Sequence, residues 1–264
     1  MLYKSAWRIE GSRNMDIIKV NQYIREVKLN KDKITNYGEY PFCLTAIKEL
    51  DTLELHPKVT FIIGENGSGK STLLEAIAVN YGFNPEGGSK NVNFSTNDTH
   101  SSLHKYIKLI RGIKMPETGY FLRAESFYNV ASNIDKLDDE GMGSRVIDSY
   151  GGVSLHEQSH GEAFFSTIMN RFSGRGLYIL DEPESALSPS RQLAMISRID
   201  GLVKEGAQFI IATHSPILMS YPESVLYEIS DKIEEKHYTE TYHFNITRSF
   251  LNNPEKYLKI LLRE

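Results

Sequence analysis

Short apolar, β-branched runs recur at wide intervals along the chain. Lys58-Val-Thr-Phe-Ile-Ile63, Gly176-Leu-Tyr-Ile-Leu-Asp181 and Gln208-Phe-Ile-Ile-Ala212 are apolar at nearly every position, the pattern of parallel strands covered on both faces. Gly119-Tyr-Phe-Leu-Arg123 reads as a further strand. Tyr23-Ile-Arg-Glu-Val-Lys-Leu29 instead alternates and predicts a half-buried strand, and Tyr40–Leu44 and Thr52–Leu55 are shorter strand candidates. Several strands should therefore precede the run at Lys58. Helical spacing follows that run from Thr72 to Val79, and again from Glu162 to Met169. Over Ser101–Lys114, Leu103, Tyr106, Ile107, Ile110 and Ile113 fall on one arc. That spacing predicts an amphipathic helix with Lys105, Lys108, Arg111 and Lys114 on its solvated surface. Asn84–Ser89 is turn-rich, Asp138–Ser144 reads as an exposed loop, and residues 1–14 carry no period and read as an extension.

Composition narrows the class without naming a chemistry. A chain of 264 residues suits one large α/β domain or a domain with a small lobe. Its net charge of −4 gives no general attraction to nucleic acid or anionic membrane. Cys43 is the only cysteine, so no intrachain disulfide forms and a reducing compartment is expected. No apolar run approaches the ~18 residues that span a bilayer, and the first ten residues lack the apolar core of a signal peptide. These features predict a cytoplasmic protein without a transmembrane segment.

The chemistry begins where the first buried strand ends. Gly64-Glu65-Asn66-Gly67-Ser68-Gly69-Lys70-Ser71 fits the phosphate-binding pattern G-x-x-x-x-G-K-[ST], between a strand and a helix. Glycines there let backbone N–H groups converge on a β-phosphate at the helix N-terminus, with Thr72 in the first turn. Lys70 would span the β- and γ-phosphates, and the Ser71 hydroxyl would ligate Mg²⁺. The second buried strand ends in Asp181 and Glu182. Asp181 would hold the metal, and Glu182 would orient and deprotonate an attacking water. The blander reading is a strand that ends in surface acids. His214, at the tip of the third buried strand, would hydrogen-bond a γ-phosphate and the attacking water; a loop histidine without a role is its alternative.

Taken together, these motifs resemble the ATP-binding-cassette type of P-loop ATPase. Ser159-His160-Gly161-Glu162 looks like that superfamily's S-G-G-Q signature, and Glu184-Ser-Ala-Leu187-Ser-Pro matches the loop that follows the acidic pair. Ser159 lies 22 residues before Asp181, and His214 lies 33 after it, both close to the usual separations. The resemblance covers about residues 20–220. It implies a P-loop NTPase of α/β class: a mostly parallel sheet with flanking helices, an N-terminal antiparallel β portion and a small helical lobe over residues 126–158, in one domain. It also implies ATP and Mg²⁺ as ligands and an ATP-dependent homodimer. Ser159 and Gly161 of one copy would cap the γ-phosphate held by the other. Two positions depart from the pattern. The glutamine that normally contacts metal and water is matched best by Glu125, and His160 stands where the signature has a glycine. Tyr37, Tyr40 and Phe42 are candidates to stack on adenine.

His156-Glu157-Gln158-Ser159-His160 also fits the zinc-protease pattern H-E-x-x-H. Gly151-Gly152 upstream and Gly161 directly after it make the segment a loop entering a helix, unlike the continuous helix that zinc needs. Among ATPase branches, the 34 residues from Glu125 to Ser159 are short for a permease-docking lobe, and no heptads mark a coiled coil. Thr213-His214-Ser-Pro216 looks more like the DNA-repair and defence relatives. The expectation is a compact AAA-type, ABC-like ATPase, similar to the heads of DNA-repair and chromosome-maintenance proteins. It would act as a switch on DNA or a partner protein. The ATP-binding subunit of a transporter and a nucleotide-binding interaction module with little turnover are the alternatives.

Overall fold

The structure, a computed structural model, describes residues 22–90, 101–139, 141 and 145–262. The extension expected over residues 1–14 lies outside them. In chain order the strands are β1 (Ile24–Leu29), β2 (Thr52–Glu54), β3 (Val59–Gly64), β4 (Gly88–Ser89), β5 (Ile107–Arg111), β6 (Thr118–Arg123), β7 (Gly176–Asp181), β8 (Gln208–Ala212), β9 (Ser224–Ile229) and β10 (Ile233–Glu235). The helices are α1 (Thr45–Lys48), α2 (Lys70–Tyr81), α3 (Phe127–Asp139), α4 (His160–Ser166), α5 (Pro189–Lys204), α6 (Tyr242–Asn252) and α7 (Pro254–Leu262). Among the described residues no helix is long and apolar enough to cross a membrane.

One sheet has the order β10-β9-β3-β8-β7-β6-β4, parallel from β9 to β6 and closed by antiparallel strands at both edges. Its central strands are largely apolar and fully buried because each side faces a core. Phe61, Tyr178, Leu180, Phe209 and Ile211 pack into one, with α3, α4 and α5. Ile62, Leu177, Ile179 and Ile210 pack into the other, with α2 and the second sheet. That second sheet is antiparallel, in the order β2-β1-β5. Gln208 stitches the two sheets together: its side chain accepts from the N–H groups of Tyr23 and Ile24 and donates to the carbonyls of Ile24 and His56. A buried amide satisfied on both ends fixes one register where apolar packing alone would tolerate several.

Three local expectations need correction. Ser101–Lys114 is not a helix: a 3₁₀ turn over Ser102–Lys105 leads into β5, which pairs with β1 through Leu109 and Val27. Gly112 follows, where a Cβ would overlap the Gln22 carbonyl oxygen at 1.6 Å. Tyr40–Leu44 is not a strand but a run of turns, closed by Cys43 N donating to Glu39 O and Leu44 N to Pro41 O, which leads into α1. Asp138 and Asp139 belong to the end of α3 rather than to a loop, and the Asp138 carboxylate accepts from the N–H groups of Val146 and Ile147. Residues 140 and 142–144 of that expected loop lie outside the described residues. The lobe between Glu125 and Ser159 contains α3 and a 3₁₀ turn over Val146–Tyr150.

Candidate nucleotide and metal site

The phosphate loop is wedged between α1 and β9 before it opens into α2. A Cβ on Gly64 would lie 2.5 Å from the Ile229 carbonyl oxygen. Gly69 caps α2 at φ 100°, with Leu44 and Ala46 each 3.1 Å from where a Cβ would stand. Both positions need glycine, for closeness at the first and for conformation at the second. Ser68 Oγ is buried there without a partner among the described residues. Lys70 is 4% exposed and donates Nζ to the carbonyls of Gly64 and Glu65 at 2.9 and 3.0 Å. Burial lowers its pKa, opposed by the nearby Glu182, Asp181 and Glu184 carboxylates. Glu65, Asn66 and Gly67 form the turn between β3 and α2, and Thr72 follows Ser71 in the first turn of α2.

The sheet brings the distant acids to this loop. Ser71 Oγ donates to Asp181 Oδ1 at 3.0 Å, across 110 residues of sequence. Burial pushes the Asp181 pKa up to about 6, although Arg123, 3.5 Å away, and the Ser71 hydrogen bond favour its charged form. Glu182 adopts the left-handed conformation, φ 48° and ψ 54°, without being glycine. Such a conformation costs about 1–3 kcal/mol; here it turns the chain off β7 while Glu182 N still donates to Ala212 O. Glu182 Oε1 then lies 3.3 Å from Nε2 of His214. Burial lowers the His214 pKa, and Lys70 adds to that effect.

A crevice of about 350 Å³ is lined by Ser71, Ala124, Glu125, His160, Asp181, Glu182 and Ser185. Lys70, Ser71, Asp181, Glu182 and His214 are thus brought together, with Glu125 on the same wall. Glu125 is largely exposed, 3.8 Å from Arg123. The oxygen donors of Ser71 and Asp181 suit Mg²⁺, a hard cation. A buried aspartate hydrogen-bonded to Ser71, beside a buried Ser68 hydroxyl without a partner among the described residues, fits a cation carried by a triphosphate.

Ser159 and Gly161 do not line this crevice. Ser159 is exposed and N-caps α4 in a capping box: its Oγ accepts from Glu162 N, and the Glu162 carboxylate accepts from Ser159 N and Oγ. Gly161 packs against the loop after β7, with 2.6 Å between the Ala186 carbonyl oxygen and where a Cβ would stand. His160, between them, does reach the crevice, with its ring edge-on to Phe127 at 5.8 Å. His156 precedes the helix and lies 3.1 Å from Ser132, so the two histidines of H-E-x-x-H do not share a helix. Among the aromatic candidates, the Tyr40 hydroxyl lies 3.4 Å from Thr72 Oγ1, whereas Phe42 packs edge-on against Tyr106.

Sequence reasoning gave no role to Arg123 or His243. Arg123 bridges Glu75 on α2, at 2.8 Å, and Asp181. Its signal is the register of β6 beside β7, which sets Arg123 opposite Asp181. His243 lies on α6, with Nε2 3.0 Å from His214 Nδ1, and no local pattern announces that contact.

Residues 19–145 match the family described as an AAA domain. The ribose import ATP-binding protein of Clostridium tetani is 24% identical over 208 residues, 69% of this chain; the match covers 41% of that protein. The ATP-binding protein of an L-cystine transport system in Escherichia coli K12 is 30% identical over 201 residues, covering 69% of this chain and 78% of that one. The solved structure of cbiO1 from Clostridium perfringens, part of an ABC transporter complex, is 18% identical with a TM-score of 0.49 and covers 88% of this chain and 96% of that one. Through the match to the L-cystine system protein, and with Lys70 next to the crevice lined by Ser71, Asp181 and Glu182, the chain belongs to the ATP-binding-cassette type of P-loop ATPase.

Proposed function

We propose that the chain binds and hydrolyses ATP, and that the cycle joins and releases two copies of it as a switch. The hydrogen bond from Ser71 to Asp181, beside Lys70 and Glu182, is the observation that carries this reading. Backbone N–H groups of residues 64–72 would cradle the phosphates, and the Lys70 ammonium would leave its loop carbonyls for the β- and γ-phosphates. Ser71 and Asp181 would hold Mg²⁺, with Glu125 beside them, and the ion would offset negative charge on the transferred phosphoryl group. Glu182 accepts the proton of the attacking water, and His214 holds that water and the γ-phosphate in line. Tyr40, whose hydroxyl lies 3.4 Å from Thr72 Oγ1, would stack on the base.

Each copy would complete the other's site with Ser159 and Gly161. The exposure of Ser159 at the N-cap of α4 supports that role: its N–H and hydroxyl, which now donate to the Glu162 carboxylate, would turn to the partner's phosphate instead. The short lobe between Glu125 and Ser159 counts against a permease-docking role and so favours action on DNA or a partner protein. Similarity to import and transport ATP-binding proteins favours a second reading, the energising subunit of a transporter. Phosphate release measured with and without DNA separates the two: stimulation by DNA supports the first, and co-purification with an integral membrane protein the second. Glu182→Gln should lower turnover about 10²–10⁴-fold while ATP binding persists, and should hold a dimer at saturating ATP in a mass measurement. Full turnover by a Glu182→Gln monomer would end the proposal.

A further inference from the structure

The strand-and-helix segment after His214 returns to the site. β9 lies beside β3, and Glu228 on β9 is buried, its carboxylate held by Lys236 Nζ at 2.6 Å. The other Glu228 oxygen accepts from Tyr242 N at 3.3 Å, and Thr241 Oγ1 caps α6 by accepting from Phe244 N. This clamp fixes the start of α6 to the central sheet, directly beside His243. α6 has no fully buried residue of its own. Its second residue nevertheless reaches Nδ1 of His214 at 3.0 Å, with ring centroids 4.9 Å apart.

Hydrogen-bonding capacity decides which way this contact runs. His214 Nε2 lies 3.3 Å from Glu182 Oε1, a close approach that is not aligned as a hydrogen bond. An ionised carboxylate accepts only. If His214 carried its proton on Nδ1, a lone pair on Nε2 would face the lone pairs of Glu182 across 3.3 Å. With the proton on Nε2, that repulsion becomes attraction, and Nδ1 becomes an acceptor. The donor to it is then His243 Nε2–H, which leaves His243 Nδ1 as the unprotonated nitrogen. That atom is buried without a hydrogen-bond partner among the described residues, and an unpaired acceptor is the less costly group to leave there.

We propose that His243 is a positioning residue for hydrolysis: by donating to Nδ1 of His214 it holds that ring in the Nε2–H tautomer, aimed at Glu182 and the γ-phosphate. The catalytic consequence rests on the ATPase reading above; the tautomer does not. A donor at Nε2 of His214 suits a phosphate oxygen, which also accepts only. Without His243 the ring is free to rotate and to exchange tautomers. α6 thus supplies the active site with an orienting hydrogen bond from beyond the motif-bearing part of the chain.

The test uses the full chain in three forms: wild type, His243→Leu and His243→Gln. Glutamine keeps an N–H donor near the place of Nε2; leucine keeps the bulk alone. His243→Leu should lower kcat about 10-fold, with KM for ATP within about twofold, as misorientation of a catalytic group does. His243→Gln should recover most of the wild-type rate. Imidazole nitrogen NMR of the wild type without nucleotide should report His214 protonated at Nε2 and not at Nδ1. Equal loss in both variants, undiminished turnover in His243→Leu, or an Nδ1–H tautomer at His214 would each overturn the proposal. If His243→Leu does not fold, the glutamine variant and the wild-type spectrum still decide. Absence of phosphate release from the wild type would instead sink the ATPase reading, and the NMR arm would judge the tautomer separately.

Discussion

Glu184 joins the two loops that carry the proposed chemistry. Its Oε2 accepts from Thr213 Oγ1 at 2.7 Å, and its Oε1 accepts from the backbone N–H of His214. Burial raises its pKa, while those same hydrogen bonds work to keep it charged. Removing the carboxylate strands two donors, the Thr213 hydroxyl and the backbone N–H of His214. Glu184→Ala should therefore cost about 2 kcal/mol of stability and also slow phosphate release, because His214 loses its backbone anchor. Urea unfolding at neutral pH, with an unchanged slope, reads the first effect. A midpoint equal to wild type would show that the two loops are held by something else. Glu182 beside it obeys a different rule: its left-handed backbone is strained, and strain at a proposed general base is where function, rather than stability, chooses the residue.

His56 shows how an element's start depends on one buried ring. It lies between β2 and β3, and its Nδ1 accepts from the N–H groups of Lys58 and Val59 at 3.2 and 3.3 Å. Burial, with help from Lys58, lowers its pKa from 6.5 to about 4. Between those values the unfolded chain binds a proton that the folded chain refuses. The stabilising effect is complete above pH 6.5 and is lost as pH falls toward 4, a change of about 3 kcal/mol. His56→Asn keeps an acceptor near Nδ1 without the titration, so its stability should lack that fall. Unfolding free energies of the two proteins at pH 7 and 4 give the difference directly, and parallel curves would count against a neutral buried His56. The elements around it were legible in sequence wherever local pattern and tertiary setting agree. β3, β7 and β8 read as doubly covered strands because each is one, and Ser159 with Glu162 encodes the cap of α4 locally. Ser101–Lys114 misleads because its apolar spacing suits an arc of helix as well as a strand, and the exposed edge of β1 decides between them. Tyr40–Leu44 is apolar enough for a strand, but its N–H groups close turns. Beyond residue 220, Ser224–Ile229 has a strand's pattern, whereas the place of α6 is set by Glu228 and His214, which no local period encodes. The nearness of Lys70, Ser71, Asp181, Glu182 and His214 was legible through their motifs; that of Arg123 and His243 was not, because only the strand order and the return of α6 bring them in.

Two copies sharing their sites would behave differently from one copy with a complete site, and mixing separates these cases. In the shared arrangement each triphosphate draws Lys70 from one copy and Ser159 from the other. Lys70→Ala removes the phosphate-binding ammonium. Ser159→Asp can still accept from Glu162 N as an N-cap, although it loses the hydroxyl that donates to the Glu162 carboxylate, and it sets a negative charge where the partner's γ-phosphate would lie. Each variant alone should release little phosphate, since both sites of its own dimer carry the fault. Mixed in equal amounts, half of the dimers pair one variant with the other. In those, one site combines an intact Lys70 with an intact Ser159, and the second site carries both faults. Turnover should then return to roughly a quarter of wild type if the sites act independently. Pairing in the mixture is checked by mass at saturating ATP, using variants of distinguishable size. Paired dimers without recovered turnover would mean that both sites must fire together. Full activity of Ser159→Asp by itself would show that Ser159 faces no triphosphate, and the crevice around Lys70, Asp181 and Glu182 would then have to work within a single copy.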